Sequence, residues 1–161
     1  MVLRGASAPR AQWSAVAAPL TRALLLAWEL PQNLLGAAVL GLQAARGHVA
    51  SVRFERERLF VELRSIGAIS LGLFVFFTER DNPFTPVGRE NRDHEYGHSI
   101  QSRRLGPLYL PVVGIPSELR VTYAVAHRLV TGRRWAGYYD GFPERQADLL
   151  GGADRSLRPA P

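Results

Sequence analysis

The chain has 161 residues, 47% of them hydrophobic, which is enough for one domain with one core. It has no cysteine, which excludes disulfide bonds and thiolate metal sites, so any metal must be bound by histidine and carboxylate side chains. All 20 basic residues are arginine and the net charge is +6, but the arginines are scattered and often lie beside acidic residues. That pattern is typical of a solvated surface and argues against a specific nucleic-acid partner.

The N-terminal part of the chain predicts a tail followed by two helices. Residues 1–14 are rich in Pro, Arg and Ala, and we expect them to be flexible. Residues 15–29 and 32–46 have helical apolar patterns, with Pro31 between them. We predict no signal peptide, and the compartment is left open between the cytoplasm and the cytoplasmic membrane.

The stretch 23–45 is long enough to cross a bilayer, which takes about 20 residues. Glu29, Pro31 and Gln32 lie near its middle, however, and an ionised residue is costly at that depth. We therefore interpret the stretch as two packed helices or one broken helix. Peripheral membrane contact through residues 15–46 is left open as an alternative to packing on the core.

Residues 50–78 predict β-structure because apolar and polar residues alternate along them. Val52 and Phe54 alternate with charged residues, and the row from Ile69 to Phe77 continues the pattern. With a turn in "RSIGA", we expect a small antiparallel β-meander of two or three strands.

The second half of the chain predicts three helices. The first spans about 91–105, and "GPLYLPVVGIP" after it has too many prolines for a helix, so we expect it to be extended. A second helix should begin at a Ser117 cap and end at Gly132. A third should run from Pro143 to Gly151–Gly152. The prediction is an α+β fold: one domain over residues 15–152, followed by a flexible tail at 153–161.

The first of these helices contains "HEYGH". His94 and His98 are four residues apart, so they share one helix face and can bind one metal ion. Glu95 is rotated by about 100° from His94, outside the coordination sphere but beside the position left open for water. Gly97 lowers helix propensity, and close packing of another backbone would explain it.

A catalytic zinc site needs a third protein ligand. The remaining candidates are His48, His127, Asp140, Glu144, Asp148 and Asp154. Glu144 and Asp148 repeat the four-residue spacing on the third helix. We predict that Glu144 completes the zinc site and that Asp148 accepts the free ring N–H of His94 or His98.

Each of three other side chains near the motifs has two possible roles. Tyr138 and Tyr139 precede Glu144 and could stabilise an oxyanion or pack the loop. Gln101 lies one turn beyond His98 and could line the site or cap a loop. His127 is expected to be an ordinary helix residue and His48 a turn residue.

The pair of motifs "HEYGH" and "ERQAD" resembles the gluzincin, or thermolysin-like, zinc metallopeptidases. The resemblance implies His94, His98 and Glu144 as zinc ligands, Glu95 as the base that activates water, and Asp148 as the residue that orients a ligand histidine. Site-2-type membrane proteases share the first motif and would use Asp140 instead, but the charged flanks of the helix argue against a membrane-embedded motif.

A broader resemblance covers about residues 28–152. The segments "WELPQNLLG", "HEYGHSIQSRRLGPLYLPVVGIPS" and "ERQADLLGG" are similar to a largely uncharacterised bacterial family. Related segments in that resemblance occur at the ends of large polymorphic-toxin-type proteins.

These observations predict a zinc-dependent hydrolase, most simply a peptidase acting on a peptide or protein substrate. A strand within 68–78 could pair with an extended substrate. The alternative is a catalytically silent, metal-stabilised binding or toxin-associated module, peripheral to the membrane. An arginine-driven binder of nucleic acid or membrane is the third hypothesis.

Overall fold

The computed structural model describes residues 21–80, 83–84 and 90–155. The predicted tail at 1–14 and the start of the predicted first helix lie outside the described residues. Of the tail predicted for 153–161, residues 153–155 are described, and Arg155 contacts residues of the candidate site.

Two helices meet at a sharp corner at the start of the described chain. Helix α1 is Thr21–Trp28 and helix α2 is Leu30–Ala45, and their axes are bent by 81°. Pro31 explains the corner because it has no N–H to continue α1 and its ring would clash with the preceding turn. None of the described helices is by itself long and apolar enough to span a membrane. Only the bent pair of α1 and α2, taken together, has the length and composition of a membrane span.

A four-stranded mixed sheet follows α2. Its strands are β1 (Val49–Glu55), β2 (Arg58–Leu63), β3 (Ile69–Leu71) and β4 (Phe74–Phe77). Their order across the sheet is β1-β2-β4-β3. β1 pairs antiparallel with β2, β3 pairs antiparallel with β4, and β2 and β4 are parallel.

The predicted antiparallel meander is therefore wrong, although the predicted α+β class is confirmed. In a meander, β3 would lie beside β2, but the chain instead places β4 there. All four residues of β4 are buried, and a strand buried on both faces is stable only in the interior of a sheet. The short β3 is left at the edge.

The two faces of the sheet form two apolar clusters. Val61, Leu63, Phe74 and Phe76 pack with Val39 and Leu40 of α2. The alternate residues Phe60, Val75 and Phe77 pack with Tyr96, which belongs to helix α3 (Asn91–Leu105). The sheet thus fixes the helix that carries "HEYGH".

The segment after α3 is helical and not extended, so that prediction is wrong. Gly106–Leu108 forms a 3₁₀ turn, Leu110–Gly114 a π-helical turn, and helix α4 (Ile115–Thr131) follows directly. Each of these three pieces has its proline in the first turn, where a missing N–H breaks no intrahelical hydrogen bond. Ser117 consequently lies inside α4 and is not a cap, whereas Gly132 ends the helix with φ of 73°, as predicted.

A short 3₁₀ turn, Ala136–Tyr139, leads into helix α5 (Glu144–Gly151). Pro143, which was predicted in the first turn, is instead the N-cap residue just before it, whereas Gly152 ends the helix with φ of 74°, as the sequence predicts. α5 packs along α3, and this pairing of helices builds the candidate site.

Candidate metal centre

Helices α3 and α5 touch through their backbones at two glycines. A Cβ atom on Gly97 would lie 1.9 Å from the carbonyl oxygen of Ala147, and one on Gly151 would lie 1.8 Å from that of Asp93. Any side chain at either position would push the helices apart. The contact explains why a residue of low helix propensity lies inside the motif, and it brings the side chains of α5 within reach of those of α3.

Three side chains from these two helices converge on one point. The Glu144 Oε2 atom lies 3.0 Å from His94 Nε2 and 3.3 Å from His98 Nε2. All three residues are buried. Ligand atoms of a tetrahedral zinc ion with bonds of about 2.0–2.1 Å are separated by about 3.3 Å, so the observed spacing fits one shared cation.

The partners of the histidine rings determine which nitrogens face this point. His94 Nδ1 lies 2.7 Å from Asp148 Oδ1, and His98 Nδ1 lies 2.7 Å from Gln101 Oε1. The amide nitrogen of Gln101 donates to the Pro143 carbonyl and to Gln146, which leaves its oxygen as the acceptor for His98. Each ring therefore donates through Nδ1 and directs the lone pair of Nε2 toward Glu144.

Two imidazole lone pairs and a carboxylate oxygen repel one another unless a cation or a proton lies between them. His94, His98 and Glu144 are the group that can hold a metal ion within the described chain. One carboxylate oxygen of Glu144, Oε1, is buried without a hydrogen-bond partner among the described residues. An unpartnered oxygen in such a site is available as a ligand atom.

Without a cation, protons on the histidine rings reduce the repulsion between the imidazole lone pairs and the Glu144 carboxylate. Burial lowers the pKa of His94, but its bonds to Asp148 and Glu144 outweigh burial, and the net pKa is raised. Burial raises the pKa of Glu144, but its bonds to the two histidines outweigh burial, and the net pKa is lowered. The site thus stabilises negative charge on Glu144 and positive charge beside it.

Glu95 lies near the three ligand residues but has a different environment. It is buried, and its Oε2 atom has no hydrogen-bond partner among the described residues. Burial raises the pKa of Glu95 to about 7, and the nearby Glu144 carboxylate adds to the shift while His98 opposes it. Its backbone carbonyl accepts a hydrogen bond from the Ser70 hydroxyl, which ties the start of α3 to the edge strand β3.

A cavity of about 450 Å³ opens beside these groups. His94, Glu95, His98 and Glu144 form its polar wall. Apolar side chains from α2, β3, the π-helical turn and α4 line the rest, among them Leu35, Ile69, Leu110 and Ile115. A smaller cavity of about 150 Å³ shares His94, Glu95 and Tyr138 with the first and lies toward Tyr139. The ligand group is therefore accessible from a cleft rather than sealed in the core.

All five predicted site residues lie together. Asp148 accepts from His94 specifically, and Gln101 proves to be the corresponding partner of His98. Tyr138 lines the cavity, and Tyr139 packs edge-on against the His94 ring with centroids 5.1 Å apart. Burial raises the pKa of both phenols, so both remain protonated at neutral pH.

One further residue of the site was not predicted. The Arg155 Nε atom donates to Asp148 Oδ2 at 2.6 Å, and its guanidinium lies 3.4 Å from the centre of the Tyr139 ring. Arg155 therefore holds the carboxylate that orients His94. No local pattern marks it, because it follows the last helix in a segment without periodicity.

The other candidate ligands lie elsewhere. His127 bonds to the Arg133 carbonyl near the end of α4, and His48 bonds to Gln43 in the turn before β1. Asp140 and Asp154 are not part of the ligand group. Glu144, and not Asp140, therefore completes the group that could hold a metal ion among the described residues.

Comparison of the chain with protein families, with curated proteins and with solved structures finds no match. The resemblances to gluzincins and to the bacterial family therefore remain predictions, and the functional argument depends on the geometry of the site.

Proposed function

We propose that the protein is a zinc-dependent hydrolase that cleaves peptide bonds. The observation that carries the proposal is the convergence of His94 Nε2, His98 Nε2 and Glu144 Oε2 at 3.0 and 3.3 Å, beside a cavity that also contains the carboxylate of Glu95. A structural site would have no use for a buried, unpartnered Glu95 oxygen, because a carboxylate buried in that way destabilises the fold.

The donor set favours zinc. Two imidazoles and one carboxylate are the ligands of many catalytic zinc sites, and the chain has no thiolate to offer a softer metal. Structural zinc sites usually have four protein ligands, whereas the described group has three. The fourth position would be left for water or substrate.

When bound, zinc supplies a water molecule of lowered pKa and polarises the substrate carbonyl. Glu95, whose Oε2 atom is buried without a hydrogen-bond partner among the described residues, would accept a proton from the attacking water and return it to the leaving amine. Asp148 and Gln101 hold the two imidazoles in the tautomer that binds through Nε2. Tyr138 lines the cavity with a protonated hydroxyl, which makes it the candidate donor to a developing oxyanion.

An extended substrate has a place to bind along the edge of the sheet. β3 pairs only with β4 among the described strands, and residues 68–71 line the larger cavity. A peptide added as a further strand would pass the ligand group, where His94 and Glu95 line both cavities. The Ser70 carbonyl already accepts a bond from the Tyr109 hydroxyl at 2.9 Å, so we expect pairing nearer Ala68.

The experiment is to compare wild type with Glu95→Gln on a mixture of unstructured peptides, with products measured by mass spectrometry. We expect the variant to bind zinc as wild type does and to lose at least about 100-fold in rate, because a general base contributes roughly 10²–10⁴-fold. Glu118→Gln is the matched control, since this exposed acid lines the same cavity away from the ligands.

Equal rates in wild type and Glu95→Gln would contradict the proposal. Wild type that binds zinc but cleaves no peptide would instead support the alternative, in which the metal stabilises a binding module.

A further inference from the structure

Two exposed apolar helical faces border the larger cavity. The first lies on α1 and α2 and includes Leu24, Trp28, Leu30, Leu34 and Leu35. The second lies on the helical run that begins at Gly106 and consists of Leu108, Val112, Ile115 and Leu119. Their spacing of four, three and four residues places them along one side of that run. Neither face is covered by another described element.

The two faces are neighbours. The Trp28 ring packs on Gly106, where a Cβ would lie 2.2 Å from the indole, and Gln32 donates to the Gly106 carbonyl at 2.7 Å. Leu35 from the first face and Ile115 from the second both line the cavity and are both about half exposed. The mouth of the cavity therefore lies between two apolar surfaces, which together we call the apolar rim.

The exposed charges of the α1–α2 side of the apolar rim are positive, whereas the second face carries one exposed acid, Glu118, beside Leu119. Within residues 21–46 the exposed charged side chains are Arg22 and Arg46. The one acidic residue of this stretch, Glu29, is buried and paired with Arg58. Arg104, at the end of α3, adds another exposed cation near Gly106. An apolar face bordered by cations is complementary to a bilayer that contains anionic lipids.

We propose that the apolar rim docks on the surface of an anionic lipid bilayer, with the mouth of the cavity facing the membrane. The exposed leucines and the Trp28 ring enter the headgroup boundary, and the arginines contact lipid phosphates. A second copy of the chain fits this face less well, because a two-fold interface would bury arginines for which residues 21–46 offer no exposed acidic partner. This inference goes beyond the proposed reaction and does not depend on it.

The α1–α2 corner determines that this contact is peripheral. The Glu29 carboxylate bonds to the Arg58 guanidinium at 3.0 and 3.2 Å and to the Ser102 hydroxyl at 2.7 Å. Straightening the bent pair into one long helix would pull Glu29 away and leave Arg58 as an unpaired buried charge. The corner therefore keeps both helices on the surface of the domain, parallel to a membrane that docks there.

The test uses the full chain and vesicles of phosphatidylcholine alone or mixed equally with phosphatidylglycerol, with binding measured by flotation. The variant Leu34→Gln/Leu119→Gln removes one exposed leucine from each face, at 64% and 63% exposure. Leu129→Gln/Leu149→Gln is the matched control, with leucines that are 74% and 75% exposed and do not belong to the rim. Arg22→Gln/Arg46→Gln tests the charges.

We expect wild type and the control to bind the anionic vesicles equally, and the rim variant to bind about tenfold or more weakly. The arginine variant should lose its preference for anionic over neutral vesicles. Circular dichroism and thermal melting check that each variant is folded. The proposal is overturned if wild type floats with neither vesicle, if the control loses as much binding as the rim variant, or if the rim instead forms a dimer that Leu34→Gln/Leu119→Gln dissociates.

Discussion

At the scale of single residues, the site depends on how each imidazole is held. Asp148 and Gln101 each accept a ring N–H at 2.7 Å, and Arg155 in turn holds Asp148. These contacts leave both Nε2 lone pairs directed at the same point as the Glu144 carboxylate. Partners of this kind contribute to metal affinity although they do not touch the metal.

We predict that Asp148→Asn lowers zinc affinity by about 10–100-fold, because the amide is a weaker acceptor for His94 and no longer pairs with Arg155. Competition with a zinc-binding dye measures the change. Asp140→Asn is the control, since this exposed acid lies in the same region but not in the ligand group. An unchanged affinity in Asp148→Asn, or an equal loss in Asp140→Asn, would rule out the role assigned to Asp148.

The raised pKa of His94 predicts a pH dependence of metal binding. Protonation of His94 stabilises the metal-free fold; this contribution is fully present below the unfolded pKa of about 6.5 and is lost as pH rises through the higher folded value. Metal binding requires the neutral ring, so the stabilisation of the fold by bound metal increases as pH rises. The increase in melting temperature on adding zinc should therefore grow between about pH 6 and 8. An increase that is constant over this range would contradict the assignment.

At the scale of helices, the site exists because α3 and α5 approach closely at Gly97 and Gly151. No side chain can be placed at either position without moving the carbonyl of Ala147 or of Asp93. The ligands His94 and His98 belong to one helix and Glu144 to the other, so a separation of the helices separates the ligands. Stability and metal affinity should therefore change together.

Gly97→Ala tests this coupling. Although alanine favours a helix, we expect the overpacked variant to be destabilised by about 1–3 kcal/mol and to bind zinc more weakly. Gly41→Ala is the matched control: it lies in a helix with open space around its Cβ, so it should be neutral or stabilising by up to about 1 kcal/mol. Chemical denaturation measures both variants. A Gly97→Ala variant as stable as wild type would mean that α3 and α5 do not touch as described.

The features that could be predicted from the sequence lie within single helices. The spacing of His94 and His98, that of Glu144 and Asp148, and the glycine ends of α4 and α5 all follow from helix periodicity and capping, and the structure has each of them. The prediction for residues 106–116 was wrong because a proline disrupts a helix only in its interior. Each of these prolines lies in the first turn of a helical piece, where it is tolerated.

At the scale of the whole molecule, the errors concern contacts between distant segments. Alternation identifies strands but not their neighbours, so the parallel pairing of β2 with β4 could not be read from the sequence. Likewise, nothing near Glu29 indicates its buried pairing with Arg58 and Ser102, and nothing near Arg155 indicates its bond to Asp148. The Glu29 contacts join the α1–α2 corner to β2 and α3, which are separate from it in sequence, whereas the Arg155 contact folds the chain back over only seven residues onto α5.

The most direct test is the metal content of the purified protein. Elemental analysis should find about one zinc ion per chain in wild type after metal loading and dialysis, and far less in His94→Ala and Glu144→Ala, with Asp140→Asn unchanged. Thermal melting should show the ligand variants folded, so that loss of metal is not loss of structure. Wild type that retains no metal, or a Glu144→Ala variant that retains as much as wild type, would contradict the account.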